Sequence, residues 1–210
     1  MAEQEAVADN ESRPERVHGD APAAQPNAKP SRDAHAPADS RDQILHRARD
    51  LFAKHGYRGT SIRQLTSGLN LTPAALYYHF SGKDDVLSGL LAPMERDGEA
   101  VLARIAELAR SPDALRDVLD RYYDLLARDI QIFQLVADDV AVQQSAMGQR
   151  LRSQARELFA WLVGPSPDAD GRIRAAAAVG TIRLSLEQRG VDPELYRETI
   201  IGRAMRIMTD

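Results

Sequence analysis

Apolar residues recur at helical spacing along almost all of the chain from residue 40 onward, and no stretch alternates with the period of two that a strand requires. Three such patterns run back to back between Ser40 and Phe80. In the first, Ile44, Leu45, Ala48, Leu51 and Phe52 make one apolar stripe. Ser40 and Gln43 have the capping-box spacing of a helix start, and Gly56 is placed to end the helix in a left-handed conformation. The second pattern carries Ile62, Leu65 and Leu69 behind a cap at Thr60 or Ser61. Asn70 then stands where the chain must turn, and asparagine is among the few non-glycine residues that tolerate positive φ. The third opens on Thr72, puts Pro73 at the first helical position, where its missing amide hydrogen does least harm, and turns Leu76 and Phe80 inward. Ser81 and Asp84 signal a fourth helix with Lys83 in its first turn.

The third helix is short, and its outer edge is not apolar. Thr72, Pro73, Ala74, Ala75, Tyr77, Tyr78 and His79 share that edge. The two small alanines allow entry into a DNA major groove without a clash. Tyrosine hydroxyls and a histidine ring can bond phosphates, contacts that set register more than sequence preference. Two short helices joined by a tight turn, with such an edge on the second, predict a helix-turn-helix over residues 40–83 that binds double-stranded DNA. The competing reading is a small three-helix bundle with two surface tyrosines.

Charge becomes informative only when divided. The chain of 210 residues carries a net −4, yet residues 41–90 hold seven basic against four acidic side chains, a local +3. The positive part therefore coincides with the predicted helix-turn-helix, as phosphate neutralisation requires. So small an excess implies affinity that depends on two subunits acting together. Residues 1–39 contain no Ile, Leu, Phe, Tyr or Trp, and that composition predicts a disordered Ala/Pro-rich tail. A sharper alternative is an arm of Lys29, Arg32 and Arg41 reaching into the minor groove.

The run LFAKHGYRGTSIRQL and the run LTPAALYYHFSGKDDVL resemble the DNA-binding domain of TetR-type one-component transcriptional regulators. The pattern is carried by Phe52, Gly56, Tyr57 and Thr60, then by Leu76, Tyr77, His79 and Phe80, with Lys83 following. The resemblance covers about a quarter of the chain. It implies that Thr60 contacts a phosphate at the start of the second helix, that Thr72, Pro73, Ala74 and Ala75 lie nearest the bases, and that Tyr77, His79 and Lys83 hold the backbone. Leu69-Asn70-Leu71, Thr66 and Gly68 depart from the usual pattern, which bears on the angle between the two helices.

Residues 84–210 predict a larger helical domain, bringing the all-α total to about nine helices. Pro93 is expected to kink or break the fourth helix, and Gly164-Pro165-Ser166-Pro167 to separate the last two. Tyr122, Tyr123, Phe133, Met147, Phe159 and Trp161 are candidates to line a cavity for a small molecule, against a first reading of each as ordinary core, with Asp138, Asp139 and Arg183 as polar anchors or surface charges. The final two helices contain AAAAVG at 175–180 and an apolar face through Ile200, Ile201, Ala204, Met205 and Met208. They read either as intramolecular core or as an interface. The resemblance implies the second, a four-helix contact between two copies, drawing on Ala176, Val179, Gly180, Ile201 and Met205.

Several chemistries find no support. There is no cysteine, no apolar run of membrane-spanning length and no apolar leader, so a soluble, cytoplasmic protein without membrane contact is expected. All five histidines fall before residue 84, and no phosphate-cradling loop or metal-ligand cluster is present. No enzyme activity, cofactor or metal is expected. The expected function is a homodimeric regulator of an inverted-repeat operator, released by an unidentified small-molecule effector; repression rather than activation follows from the resemblance alone. The alternative is a regulator without effector, whose helical domain only dimerises or recruits a protein.

Overall fold

The computed structural model describes residues 37–165 and 168–209, which form ten helices and no strand. They are α1 (Pro37–His55), α2 (Ile62–Thr66), α3 (Pro73–His79), α4 (Lys83–Glu107), α5 (Pro112–Arg128), α6 (Ile130–Asp138), α7 (Val140–Gln144), α8 (Ala146–Val163), α9 (Ala169–Leu186) and α10 (Pro193–Thr209).

Local backbone chemistry accounts for most of the boundaries. Gly56 ends α1 at φ +73°, and Asn70 takes φ +53° between α2 and α3. Ser61, rather than Thr60, caps α2 in a reciprocal box with Gln64. Thr72 accepts from the Ala75 amide ahead of Pro73. Ser111, Asp129, Asp139, Ser145 and Asp168 cap α5 to α9 in turn, each side chain accepting an otherwise orphaned amide.

Several expectations change. Helix α1 begins at Pro37, so Ser40 lies inside it and the Ser40–Gln43 pair is not its cap. Arg41 is therefore helical, its guanidinium 5.1 Å from the centre of the Phe80 ring, and is no part of an arm. The expectations for residues 1–36 lie outside the described residues. Of the kink or break expected at Pro93, the break does not occur: α4 runs through it, packed against α1, α5 and α8. Ser81 bonds to Asp85 rather than Asp84, and the α4 cap position is Gly82. The tenth helix is the five-residue α7, too short for periodicity to reveal; Asp139 creates it by closing α6 and accepting from the Ala141 and Val142 amides.

Two hydrophobic cores divide along α4. The first gathers Ile44, Phe52, Leu65, Leu76 and Phe80 of α1 to α3 with Val86, Leu87 and Leu91 of α4, and it is completed by Ile132 and Leu135 of α6, Val142, Met147 and Leu151. The second holds Val101 and Ile105 of α4 with the buried faces of α5, α8, α9 and α10. Helix α6 thus contributes to the core of the N-terminal head although it lies some fifty residues beyond it in sequence.

Candidate nucleic-acid interface and interior cavity

Helix α3 presents its outer edge without cover. Leu76 and Phe80 are buried, while Tyr78 is 78% exposed and Tyr77 55%. Thr72, Pro73 and Ala74 are also exposed, and Ala75 and His79 are half-buried. The His79 ring meets that of Tyr78 edge-on at 5.0 Å. A short helix with small residues at its N-terminal end and two free phenols near its C-terminal end has the shape and the donors for a major groove.

Two residues of the expected phosphate set point elsewhere. Thr60 is 1% exposed, and its hydroxyl donates to the carbonyls of Leu51 and Gly56. The Lys83 ammonium donates to the carbonyls of Tyr57 and Thr60 at 2.9 and 2.8 Å, and lies 4.4 Å from the centre of the Tyr57 ring. Both side chains therefore fasten the α1–α2 loop, which supports the start of α2. Buried Tyr57 completes the fastening by donating its hydroxyl to Asp84. Burial, and then that bond, push its pKa well above the ordinary tyrosine value. Arg58 in the loop and Arg63 in α2 are exposed cations of the head, and neither is held by a protein partner among the described residues. Their net charge was legible in the sequence; their freedom was not.

Between α4, α5, α6, α8 and α9 lies a cavity of about 430 Å³. Tyr122, Phe133 and Phe159 line it as expected, joined by Arg183. The other three aromatic and methionine candidates are elsewhere. Tyr123 packs in the second core and donates its hydroxyl to the Pro193 carbonyl, Met147 belongs to the first core, and Trp161 lies against the second core beneath Arg110. Gly98, Val136, Arg152 and Gln154 line the cavity without having been singled out, because only their neighbours across the helical interface put them there.

Helix α6 stands between this cavity and the head. Phe133, Val136 and Ala137 face the cavity, and Ile132 and Leu135 enter the core of the head. Its two ends are tied to the head as well. Arg49 of α1 pairs with Asp129 at 2.8 Å, and the Tyr57 amide donates to Asp139 at 2.7 Å. On the other side, Asp138 pairs with Arg183 of the cavity wall at 3.5 Å.

Helices α9 and α10 pack on each other and on α5. Of the five expected interface residues, Ile201 is wholly buried within the chain, Val179 lines the cavity and Met205 packs on the second core; only Ala176 and Gly180 face outward. The outward stripe of α9 is Ile173, Ala176, Ala177, Gly180 and Leu184, and that of α10 runs through Leu195, Thr199 and Gly202. Ile173, Leu184 and Leu195 are 65, 57 and 72% exposed, and a methyl group added at Gly180 or Gly202 would meet nothing within 4 Å.

Residues 44–90, from α1 into the first turns of α4, match the family described as bacterial regulatory proteins, tetR family. The chain carries a DNA-binding segment of the TetR family. The chain is 30% identical over 101 residues to the transcriptional repressor AcnR of Corynebacterium diphtheriae, an alignment covering 47% of this chain and 51% of AcnR. It is 34% identical over 76 residues to the transcriptional regulator YezE of Bacillus subtilis, covering 36% of this chain and 39% of YezE. The chain thus spans about half or less of the length of these two relatives. A TetR-family regulator from Bordetella parapertussis shares the fold with a TM-score of 0.64 at 17% identity, over 81% of this chain and 94% of that one. Among the described residues, no helix is long and apolar enough to cross a membrane, and no three His, Asp or Glu side chains are grouped to hold a metal.

Proposed function

We propose that this protein is a homodimeric repressor of an inverted-repeat operator, acting in the cytoplasm and released when a small molecule enters the cavity. The observation that carries the reading is α6, one helix shared by the cavity wall and the core of the head. A ligand that pushes on Phe133 or Val136, or that draws Arg183 from Asp138, acts on the same rigid segment whose ends hold Arg49 and the Tyr57 amide. It changes DNA affinity only through its different affinity for the two arrangements of α6.

In this reading Pro73, Ala74 and Ala75 approach base edges, and Tyr77, Tyr78 and His79 bond the phosphates. Arg58 and Arg63 take the phosphate roles left open by the burial of Thr60 and the inward bonding of Lys83. The outward stripes of α9 and α10 close on their copies, which would cover Ile173, Leu184 and Leu195. Glycines that meet nothing in their own chain, on an apolar face, fit a helix from a second chain passing close by. Two recognition helices then read two half-sites about one or more helical turns apart.

Selection of sequences from fragmented genomic DNA at near-physiological salt tests this reading. The wild type should enrich an inverted repeat, and Tyr77→Ala with Tyr78→Ala should not. Enrichment of no sequence by the wild type, or of the same repeat by the double variant, would count against the α3 face.

A further inference from the structure

The polar side chains around the cavity are unevenly satisfied. Most of its wall is apolar; Tyr122, Gln143, Arg152, Gln154 and Arg183 are the polar side chains, and no Asp or Glu among the described residues lines it. Three of the five are engaged. Gln143 donates to the Ala137 carbonyl, and Gln154 donates to the Glu95 carbonyl at 3.1 Å. Arg183 is balanced by Glu187 at 2.9 Å and by Asp138.

Arg152 of α8 is different. Its Nε is buried without a hydrogen-bond partner, and no carboxylate among the described residues pairs with its guanidinium. An arginine cannot shed its proton to escape this, and a partly desolvated charge without a counter-charge is costly. The Tyr122 hydroxyl likewise has no hydrogen-bond partner among the described residues. Burial pushes its pKa up to about 12, so it stays a protonated donor at neutral pH.

We propose that the effector is an amphipathic monoanion, an apolar body ending in a carboxylate, whose head pairs with Arg152 while its body fills the apolar cavity. This rests on the reading of the cavity as the effector site. The planar fork of a guanidinium matches a carboxylate with two parallel bonds. A cation would be repelled there, and a neutral ligand would leave the guanidinium unpaired in a drier site. The volume of about 430 Å³ lies toward the lower end of the roughly 300–1,000 Å³ of small-molecule sites, which suits a medium acyl chain or a small aromatic body.

Two matched probe pairs test the proposal on the full chain by calorimetry and thermal shift: decanoate against 1-decanol, and 4-phenylbutyrate against 4-phenylbutanol. The expected result is binding of at least one acid to the wild type, tenfold or more tighter than its alcohol. Arg152→Met, which keeps the apolar stem, should bind that acid at least tenfold more weakly, and Arg152→Lys should recover part of the loss. Val179→Phe, which fills the cavity, should abolish the binding, with circular dichroism confirming that each variant is folded. An alcohol binding as tightly as its acid, or an acid indifferent to Arg152→Met, overturns the anionic head and leaves the cavity reading standing. No probe binding the wild type, or binding that survives Val179→Phe, removes both.

Discussion

Asp139 joins two parts of the molecule, its carboxylate accepting a hydrogen bond from the Tyr57 amide across 82 positions of sequence while also capping α7 through Ala141 and Val142. One side chain therefore fixes the end of the shared helix α6 and the loop that precedes α2. Gly56 lies against the same carboxylate, so an added methyl would sit 3.2 Å from it.

Removing that carboxylate should loosen both ends of the link. Asp139→Ala is expected to cost about 2 kcal/mol, from a lost cap and a lost charged hydrogen bond. Asp139→Asn, which keeps an acceptor, should cost less than half as much. Denaturant unfolding of the two variants checks the order.

The inward turn of Lys83 predicts a distinctive salt dependence. Lys83→Met should weaken operator binding by loosening the α1–α2 loop while leaving the dependence of affinity on salt nearly unchanged. Arg63→Ala should instead lower the salt slope by about one for each phosphate that Arg63 neutralises. Binding titrations at several salt concentrations separate the two, and a reduced slope for Lys83→Met would restore it to the phosphate set.

The outward and inward faces of α9 and α10 should answer differently to mutation. Gly180→Arg, on the outward face, should yield folded monomers in size-exclusion chromatography. Ile201→Ala, in the chain's own core, should cost about 2–5 kcal/mol through the cavity it leaves. At low temperature it should still elute at the wild-type position. A dimeric Gly180→Arg protein would move the interface away from this stripe.

Alkaline pH should destabilise the fold in a predictable direction. The pKa of Tyr122 is pushed up to about 12, first by burial, with nearby Arg183 acting in the opposite sense. An unfolded tyrosine ionises near 10. Below about pH 10 this contribution to stability is complete, and it is lost as pH climbs toward 12, because the unfolded chain then binds fewer protons. The loss amounts to roughly 2–3 kcal/mol for Tyr122 alone, and buried Tyr57 and Tyr123 shift in the same direction. Urea midpoints measured between pH 8 and 11 should fall less steeply for Tyr122→Phe than for the wild type.

By itself, the sequence determined the helical class, helix α3 and its N-cap. Gly56, Asn70, Thr72, Pro73, Leu76 and Phe80 were legible because each acts through its own backbone or through a period of 3.6 residues. The direction of longer or doubly apolar elements required the tertiary structure. Thr60 and Lys83 can point to solvent or into the loop, and only the carbonyls of Leu51, Gly56, Tyr57 and Thr60 settle which. Helix α9 has two apolar faces separated by polar residues, so periodicity cannot say whether Ala178 and Ile182 or Ala176 and Gly180 face the chain's own core. Contact with α10 and α5 decides for the first pair. Arg152 and Val136 share a cavity with Tyr122 only because separate helices bring them there, and such a meeting leaves no mark on local sequence. Short-range backbone chemistry is written residue by residue, whereas the choice among several buriable faces is made by the packing partner.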